Sequence, residues 1–151
     1  MYKTILLAYD GSESGQNAVL ECEELTQWSH SKLWIVAVRP EMTTAAALGG
    51  YAPTPESEAA DQATYKELLK TGTARLAADG YTAESALLVG AAIDEIVKFA
   101  NQVDADLIVV GHTHHATWLQ RWWAHSIAGS LVEHAPCSVL CVVKKRSAKV
   151  A

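Results

Sequence analysis

The sequence predicts an α/β fold in which helices cover both faces of a parallel β-sheet. Two observations indicate this fold: short apolar runs alternate along the chain with segments of helical periodicity, and most of the runs are continuously apolar. A strand with a continuous apolar run is typically buried on both faces, as in parallel sheets whose connections are helices. The five predicted strands cover residues 5–9, 33–38, 83–89, 107–110 and 138–143.

The first predicted strand leads through a turn into a helix. It ends at Asp10-Gly11-Ser12, residue types that start turns and helices, and apolar residues then recur at helical spacing over 18–25. After the second strand, residues 39–53 contain two prolines and two adjacent glycines. This connection is long, so we expect either a lid over a functional site or a poorly ordered segment.

The longest predicted helix has both a start and a stop signal. Thr54 is the expected N-cap, Pro55 suits the first helical position, and an acidic first turn follows. The helix is expected to run to Asp79, with Gly80 as its C-cap. Gly72 lies inside it and weakens the prediction that the helix is continuous.

The second half of the chain repeats the alternation of helix and strand. Apolar residues at i, i+3, i+4 and i+7 predict a helix over 93–100. The last helix is predicted over 127–135, with Ser126 as its N-cap. Residues 144–151 are basic and are expected to form a flexible tail. A length of 151 residues is typical of one domain, so 1–151 is interpreted as a single domain.

The composition argues against several classes of protein. Half of the 151 residues are apolar and the formal net charge is −5, so we expect no nucleic-acid-binding surface. No apolar run approaches the ~20 residues that cross a bilayer, and the first residues lack a signal-peptide layout. Cys137 and Cys141 are too far apart on one strand to form a disulfide, which fits a reducing compartment. We therefore expect a cytoplasmic protein that does not bind membranes.

The loops that follow the first and fourth strands are expected to meet. Right-handed crossovers bring the carboxyl ends of these strands together at a switch point. Such a point holds phosphate-bearing ligands on backbone N–H groups and a helix N-terminus. The fourth strand is predicted to stop at Gly111, and the loop over 112–125 is rich in histidine and tryptophan where a phosphate cradle is usually rich in glycine.

Three segments of the chain resemble the universal stress protein family. Residues 5–12 resemble its opening strand and acidic turn, residues 104–111 its fourth strand, and residues 126–140 its last helix and strand. The resemblance implies a doubly wound, Rossmann-like sheet of order 3-2-1-4-5, like that of adenine-nucleotide alpha hydrolases, and usually a homodimer. In the nucleotide-binding branch, ATP or another adenine nucleotide, with or without Mg²⁺, occupies the switch point.

The family's phosphate loop is altered in this chain. Its pattern is glycine, two residues, glycine, nine residues, glycine, then serine or threonine. Gly111 matches the first glycine and Ser126 the final hydroxyl, in a loop one residue longer than the pattern. His114 replaces the second glycine, and His125 the third (Ala124 if counted from Gly111). Histidine adds bulk and loses the positive φ open to glycine, but it can donate to phosphate oxygens. The sequence is thus compatible with a remodelled anion site and with a lost one.

The resemblance also implies which residues form the site. Asp10 would face the ribose or the metal-linked phosphates. The adenine would be bordered by Ala8, Tyr9 and Val38. The phosphate side would be lined by Val110, Gly111, Ser126 and Ile127, with His114 and His125 at the altered positions. Structural roles compete with two of these assignments, because Asp10 also suits an Asx-turn and Ser126 a plain N-cap.

The histidines and tryptophans of the 112–125 loop have more than one interpretation. His112, His114 and His115 suggest a metal site, but the chain has no zinc-binding motif, so a polar surface loop is favoured. The tryptophans at 118 and 122 share one stripe at helical spacing, which favours a lid packed on the protein's own sheet over an anchor for a partner. We expect this loop and residues 39–53 to be mobile and to border the same site.

Three functional hypotheses remain open at the level of sequence. The first is a nucleotide-binding stress or signalling module, and the second is a dimeric interaction protein of the same fold that has lost the nucleotide. The third is a small enzyme, but no nucleophile–base motif and no Walker loop occur, so at most slow ATP hydrolysis is expected. The apolar edge strand Ser138–Val143 is predicted to pair with its counterpart in a homodimer. The sequence does not identify any further protein partner.

Overall fold

The fold is a five-stranded parallel sheet with helices on both faces. The computed structural model describes residues 2–12, 15–19, 24–25, 30–41, 54–112 and 127–143. The strands are β1 (Thr4–Ala8), β2 (Lys32–Arg39), β3 (Ala83–Val89), β4 (Leu107–His112) and β5 (Ser138–Val143). Within the described residues, the helices are α1 (Pro55–Ala78), α2 (Ala92–Gln102) and α3 (Ile127–His134), and residues 15–19 and 24–25 are also helical. The strand order β3-β2-β1-β4-β5 confirms the predicted doubly wound sheet.

The sheet separates two apolar clusters, one on each face. Side chains alternate along β1, so Leu7 packs on the face covered by α1, whereas Leu6 packs on the face covered by α2 and α3. We call these the α1 face and the α2/α3 face. The side chains at positions 5–7 are fully buried, which confirms the predicted burial of the central strand on both faces.

The start of β1 is tied to the start of β4 by a carboxylate. Asp106 accepts hydrogen bonds from the backbone N–H groups of Lys3 (2.7 Å) and Thr4 (3.1 Å) through its two oxygens. Its own N–H donates to the carbonyl of Thr4 at 3.0 Å. These bonds satisfy backbone donors at the entry to the sheet, and β1 and β4 then pair from Ile5 and Leu107 onward.

Helix α1 begins and ends at the residues that signal it in the sequence. The Thr54 Oγ1 accepts from the N–H of Ser57 at 3.2 Å, and the Ser57 Oγ accepts from the N–H of Thr54 at 3.0 Å, which forms a reciprocal capping box. At the other end, Asp79 is the C-cap and Gly80 adopts a φ of +86°, as expected for a glycine just past a helix.

Gly72 does not interrupt α1, although its low helix propensity had weakened the prediction of a continuous helix. The helix runs through it, and the residue is buried against the sheet. A β-carbon at this position would lie 2.6 Å from Ile35 Cδ1 and 2.9 Å from Tyr9 Cε1. The absence of a side chain therefore lets α1 approach β1 and β2 closely, and packing outweighs the low helix propensity of glycine.

Two strand predictions were wrong in detail. Strand β4 does not stop at Gly111, because Gly111 and His112 continue the ladder and pair with Val142 and Val143. Glycine keeps its backbone donor and acceptor, so it does not end a strand by itself. Strand β3 is not buried on both faces; its residues 84, 85 and 89 are exposed, because an edge strand is less fully covered by the helices.

Replacing Gly72 with alanine is expected to lower the free energy of unfolding by about 1 kcal/mol. Overpacking costs roughly 1–3 kcal/mol and exceeds the gain of ~1 kcal/mol in helix propensity. Gly129 in α3 is the matched control, because it is exposed and a β-carbon there would meet nothing within 4 Å. Gly129→Ala should therefore raise the stability by up to about 1 kcal/mol. Urea unfolding followed by circular dichroism measures both, and equal stability of the two variants would contradict the packing role of Gly72.

Candidate functional site

The carboxyl end of β1 leads into a tight turn centred on Asp10. The Asp10 Oδ1 accepts from the N–H of Ser12 (2.9 Å) and from the Ser12 hydroxyl (2.6 Å). The Ser12 Oγ in turn accepts from the N–H of Gly15, a helical residue, at 3.0 Å. The Asx-turn role of Asp10 is therefore present. The carboxylate is nevertheless exposed, so the turn orients it at the surface without burying it.

Three of the predicted site residues form an apolar floor beside this turn. Ala8, Val38 and Val110 lie near the carboxyl ends of β1, β2 and β4, and all three pack on the α2/α3 face. Ala8 pairs with Val110 in the register of β1 and β4. Val38 and Val110 are 2% and 4% exposed, so they can offer only a small contact surface to a ligand.

Tyr9, which was predicted to border the same site, does not contribute its side chain to this floor. Its side chain lies on the opposite, α1 face and is only 3% exposed. Burial raises the pKa of the Tyr9 hydroxyl, the charge of Arg75 opposes that rise, and Asp10 adds to it, so the group is neutral near pH 7. The backbone N–H of Tyr9 donates to the carbonyl of Val36 at 2.8 Å. Tyr9 thus supports the turn from within the core, because adjacent residues of an extended chain point to opposite faces.

The other half of the predicted site is described only in part. Gly111 is half-buried within β4, and Ile127 is the first residue of α3. Because α3 follows β4 in the chain, its N-terminus faces the carboxyl edge of the sheet, where its free N–H groups favour an anion. The predictions for His114, His125 and Ser126 lie outside the described residues. The same holds for residues 42–53, the loop tryptophans and the tail 144–151.

An open groove lies between Asp10 and α1, and the sequence reasoning missed it. Its volume is about 570 Å³. It is lined by Asp10, Thr64, Tyr65, Glu67, Leu68 and Thr71. The spacing of the helical members, three or four residues apart, marks one face of α1, but the sequence did not show that this face lies next to Asp10.

The lining of this groove is richer in acceptors than in donors. The hydroxyls of Thr64 and Thr71 already donate to the carbonyls of Ala60 and Glu67, each at 3.0 Å. Two carboxylates, Asp10 and Glu67, add further acceptors. Burial raises the pKa of the Tyr65 hydroxyl, with a further rise from Asp61 and an opposing effect from Arg39, so this phenol stays protonated and can donate. Such a surface favours a ligand that carries hydroxyl or amine donors.

The part of the chain that the structure describes contains neither a cluster of metal-ligand side chains nor a membrane-spanning helix. In that part, no three His, Cys, Asp or Glu side chains are grouped to hold a metal ion. None of the described helices is long and apolar enough to cross a membrane.

Cys137 and Cys141 are free thiols, and burial raises the pKa of each. A raised thiol pKa lowers the population of the reactive thiolate at neutral pH.

Comparisons with known proteins agree with this architecture. The model of the universal stress protein family matches residues 1–143. A universal stress protein of Thermus aquaticus is 32% identical over 144 residues, which cover 94% of this chain and 99% of that protein. The crystal structure of a family member from Burkholderia pseudomallei has a TM-score of 0.73 and 27% identity, over 93% of this chain and 96% of its own.

A universal stress protein crystallised in complex with cAMP is similar as well. It has a TM-score of 0.66 and 26% identity, over 95% of this chain and 98% of its own. The family model and the Thermus relative both span nearly the full length of the chain, and the fold has the same strand order that the sequence predicted. This chain belongs to the universal stress protein family.

Proposed function

We propose that this protein is a stress-response or signalling module that binds an adenine nucleotide, ATP in the first instance, at the switch point between β1 and β4. One observation carries the proposal: the exposed carboxylate of Asp10, the apolar ends of three strands and the N-terminus of α3 all lie at the carboxyl edge of the sheet. Ligands of open α/β sheets bind at this edge, where the strand order reverses.

Each part of a nucleotide has a matching group at this edge. The floor of Ala8, Val38 and Val110 suits the face of an adenine ring. The Asp10 carboxylate suits a ribose hydroxyl or a Mg²⁺ ion bound to phosphates. Gly111 and the first N–H groups of α3 suit the phosphates themselves. The relative crystallised with cAMP supports the same class of ligand.

In this proposal the protein acts in the cytoplasm as a binding module, with at most slow ATP hydrolysis. The two histidines at 114 and 125 replace glycines that bring the backbone close to phosphate, so we expect weaker binding than in a glycine-loop relative. The same replacement favours a second candidate, a dimeric interaction protein that has lost the nucleotide. Titration with ATP and Mg²⁺ distinguishes the two candidates.

Replacing Asp10 with asparagine is expected to weaken ATP binding about tenfold or more. Asparagine keeps an acceptor for the turn to Ser12 but loses the charge, and a hydrogen bond to a charged group is worth roughly 1.5–3 kcal/mol. Asp10→Ala removes both functions and should bind more weakly still. Isothermal calorimetry with ATP and Mg²⁺ gives the three dissociation constants.

Asp79→Asn is the control for the change in charge, because Asp79 is an exposed carboxylate at the far end of α1. It should bind ATP like the wild type. An absence of binding heat in the wild type would refute the nucleotide proposal and favour the second candidate. Equal affinity of Asp10→Asn and the wild type would remove Asp10 from the site.

We also propose that the protein is a homodimer in which β5 pairs antiparallel with β5 of a second copy. Strand β5 forms one edge of the sheet and contains no charged residue or proline. Natural proteins usually cover or interrupt such an edge, because its free N–H and C=O groups recruit other strands. An isologous contact between two copies would cover it on both subunits at once.

Replacing Val143 with lysine is expected to weaken this dimer about tenfold or more, because the new charge must be desolvated in the interface. Val89→Lys is a closely matched control. Val143 and Val89 are the last residues of the two edge strands and are 44% and 42% exposed, respectively. Sedimentation equilibrium should show a shift toward monomer for Val143→Lys alone. A monomeric wild type, or equal shifts in both variants, would contradict the role of β5.

A further inference from the structure

Helix α1 contacts the chain on both sides of Asp10. The Leu68 Cδ1 occupies the position where a β-carbon on Gly11 would lie, and its Cγ is 3.7 Å from that position. One turn further along the helix, Gly72 lies over the ring of Tyr9. Leu68 and Gly72 are four residues apart and therefore lie on the same face of α1. A single turn of the helix thus presses on the residue before Asp10 and on the residue after it.

The contact with Gly11 restricts the backbone of the turn. Gly11 has a φ of +73°, a conformation that other residues rarely adopt, and Leu68 fills the space that a side chain would need. With Gly11 fixed, the peptide that follows Asp10 has little freedom to rotate. The Asp10 carboxylate then meets the N–H and the hydroxyl of Ser12 as observed.

A polar contact extends the same attachment beyond the turn. The Arg75 Nη1 donates to the Gln16 Oε1 at 2.8 Å, so α1 also holds the helical residues that follow the turn. The position of Asp10 is therefore set by a helix that starts 45 residues after it and not by its own turn alone.

We propose that the Leu68–Gly72 turn of α1 is a positioning element, with Leu68 as its key residue, that holds Asp10 in the orientation required for nucleotide binding. The effect on ATP binding rests on the proposed function. The restraint of the Asp10 turn by α1, in contrast, is a property of the ligand-free protein. A shift of α1 away from β1 would release Gly11 and loosen the turn without removing any group from the site.

Leu68→Ala tests this role, with Leu87→Ala as the matched control. Leu87 is a half-buried leucine that packs against the same apolar cluster but lies on β3. Amide hydrogen exchange under native conditions reports the turn through the N–H groups of Ser12 and Gly15. In Leu68→Ala we expect both amides to exchange about tenfold faster and ATP to bind about tenfold more weakly. Changes of this size are expected if only about one molecule in ten keeps the turn in the conformation that binds ATP. Leu87→Ala should change neither quantity.

Leu68→Met keeps most of the side-chain volume and should restore both measurements toward the wild type. The two readouts separate this inference from the proposed function. Wild-type protein that fails to bind ATP overturns the proposed function, and the exchange rates then decide the positioning role alone. Unchanged exchange of Ser12 and Gly15 in Leu68→Ala, or equal acceleration in Leu87→Ala, overturns the positioning role even when ATP binds.

Discussion

Strand β1 has a hydrogen-bonded neighbour on each edge and an apolar layer on each face, and the other elements are arranged around its burial. Its side chains at 5–7 have no exposure, so its backbone groups can be satisfied only by β2 and β4. Helices are then required on both faces. The chain leaves this buried strand at its carboxyl end, which puts the first accessible carboxylate, Asp10, at the point where the strand order reverses.

Close packing of α1 against that strand couples the core to the site. A helix can lie this near to a sheet only where a side chain is missing, and Gly72 provides the space for Tyr9 and Ile35. Tyr9 belongs to the core, whereas the next residue belongs to the surface turn. Packing on the α1 face therefore acts on Tyr9 and Gly11, the two residues that flank Asp10 in the chain.

Charge and hydrogen-bonding capacity are divided between the two sides of the switch point. Asp10 and Glu67 place acceptors on the α1 side, and the N-terminus of α3 places donors on the other side. A ligand that carries hydroxyl donors at one end and phosphate acceptors at the other would be oriented by this difference. The apolar floor between the two sides belongs to the α2/α3 face, so its residues are also part of the core that stabilises the sheet.

The sequence by itself determined the features that depend on local signals. Thr54 and Gly80 marked the limits of α1, continuous apolar runs marked the inner strands, and Asp10-Gly11-Ser12 marked a turn, because each signal acts within a few residues of the chain. The sequence also indicated the family through three separated segments.

Only the tertiary structure decided how distant parts of the chain meet. It placed Tyr9 under α1, away from the floor with which the sequence had grouped it, and it opened a groove beside Asp10. It also extended β4 to His112, because β5 continued to offer partners for its backbone. These outcomes depend on contacts between residues about sixty positions apart, such as Tyr9 and Gly72, and no local pattern specifies which side chains will share a face.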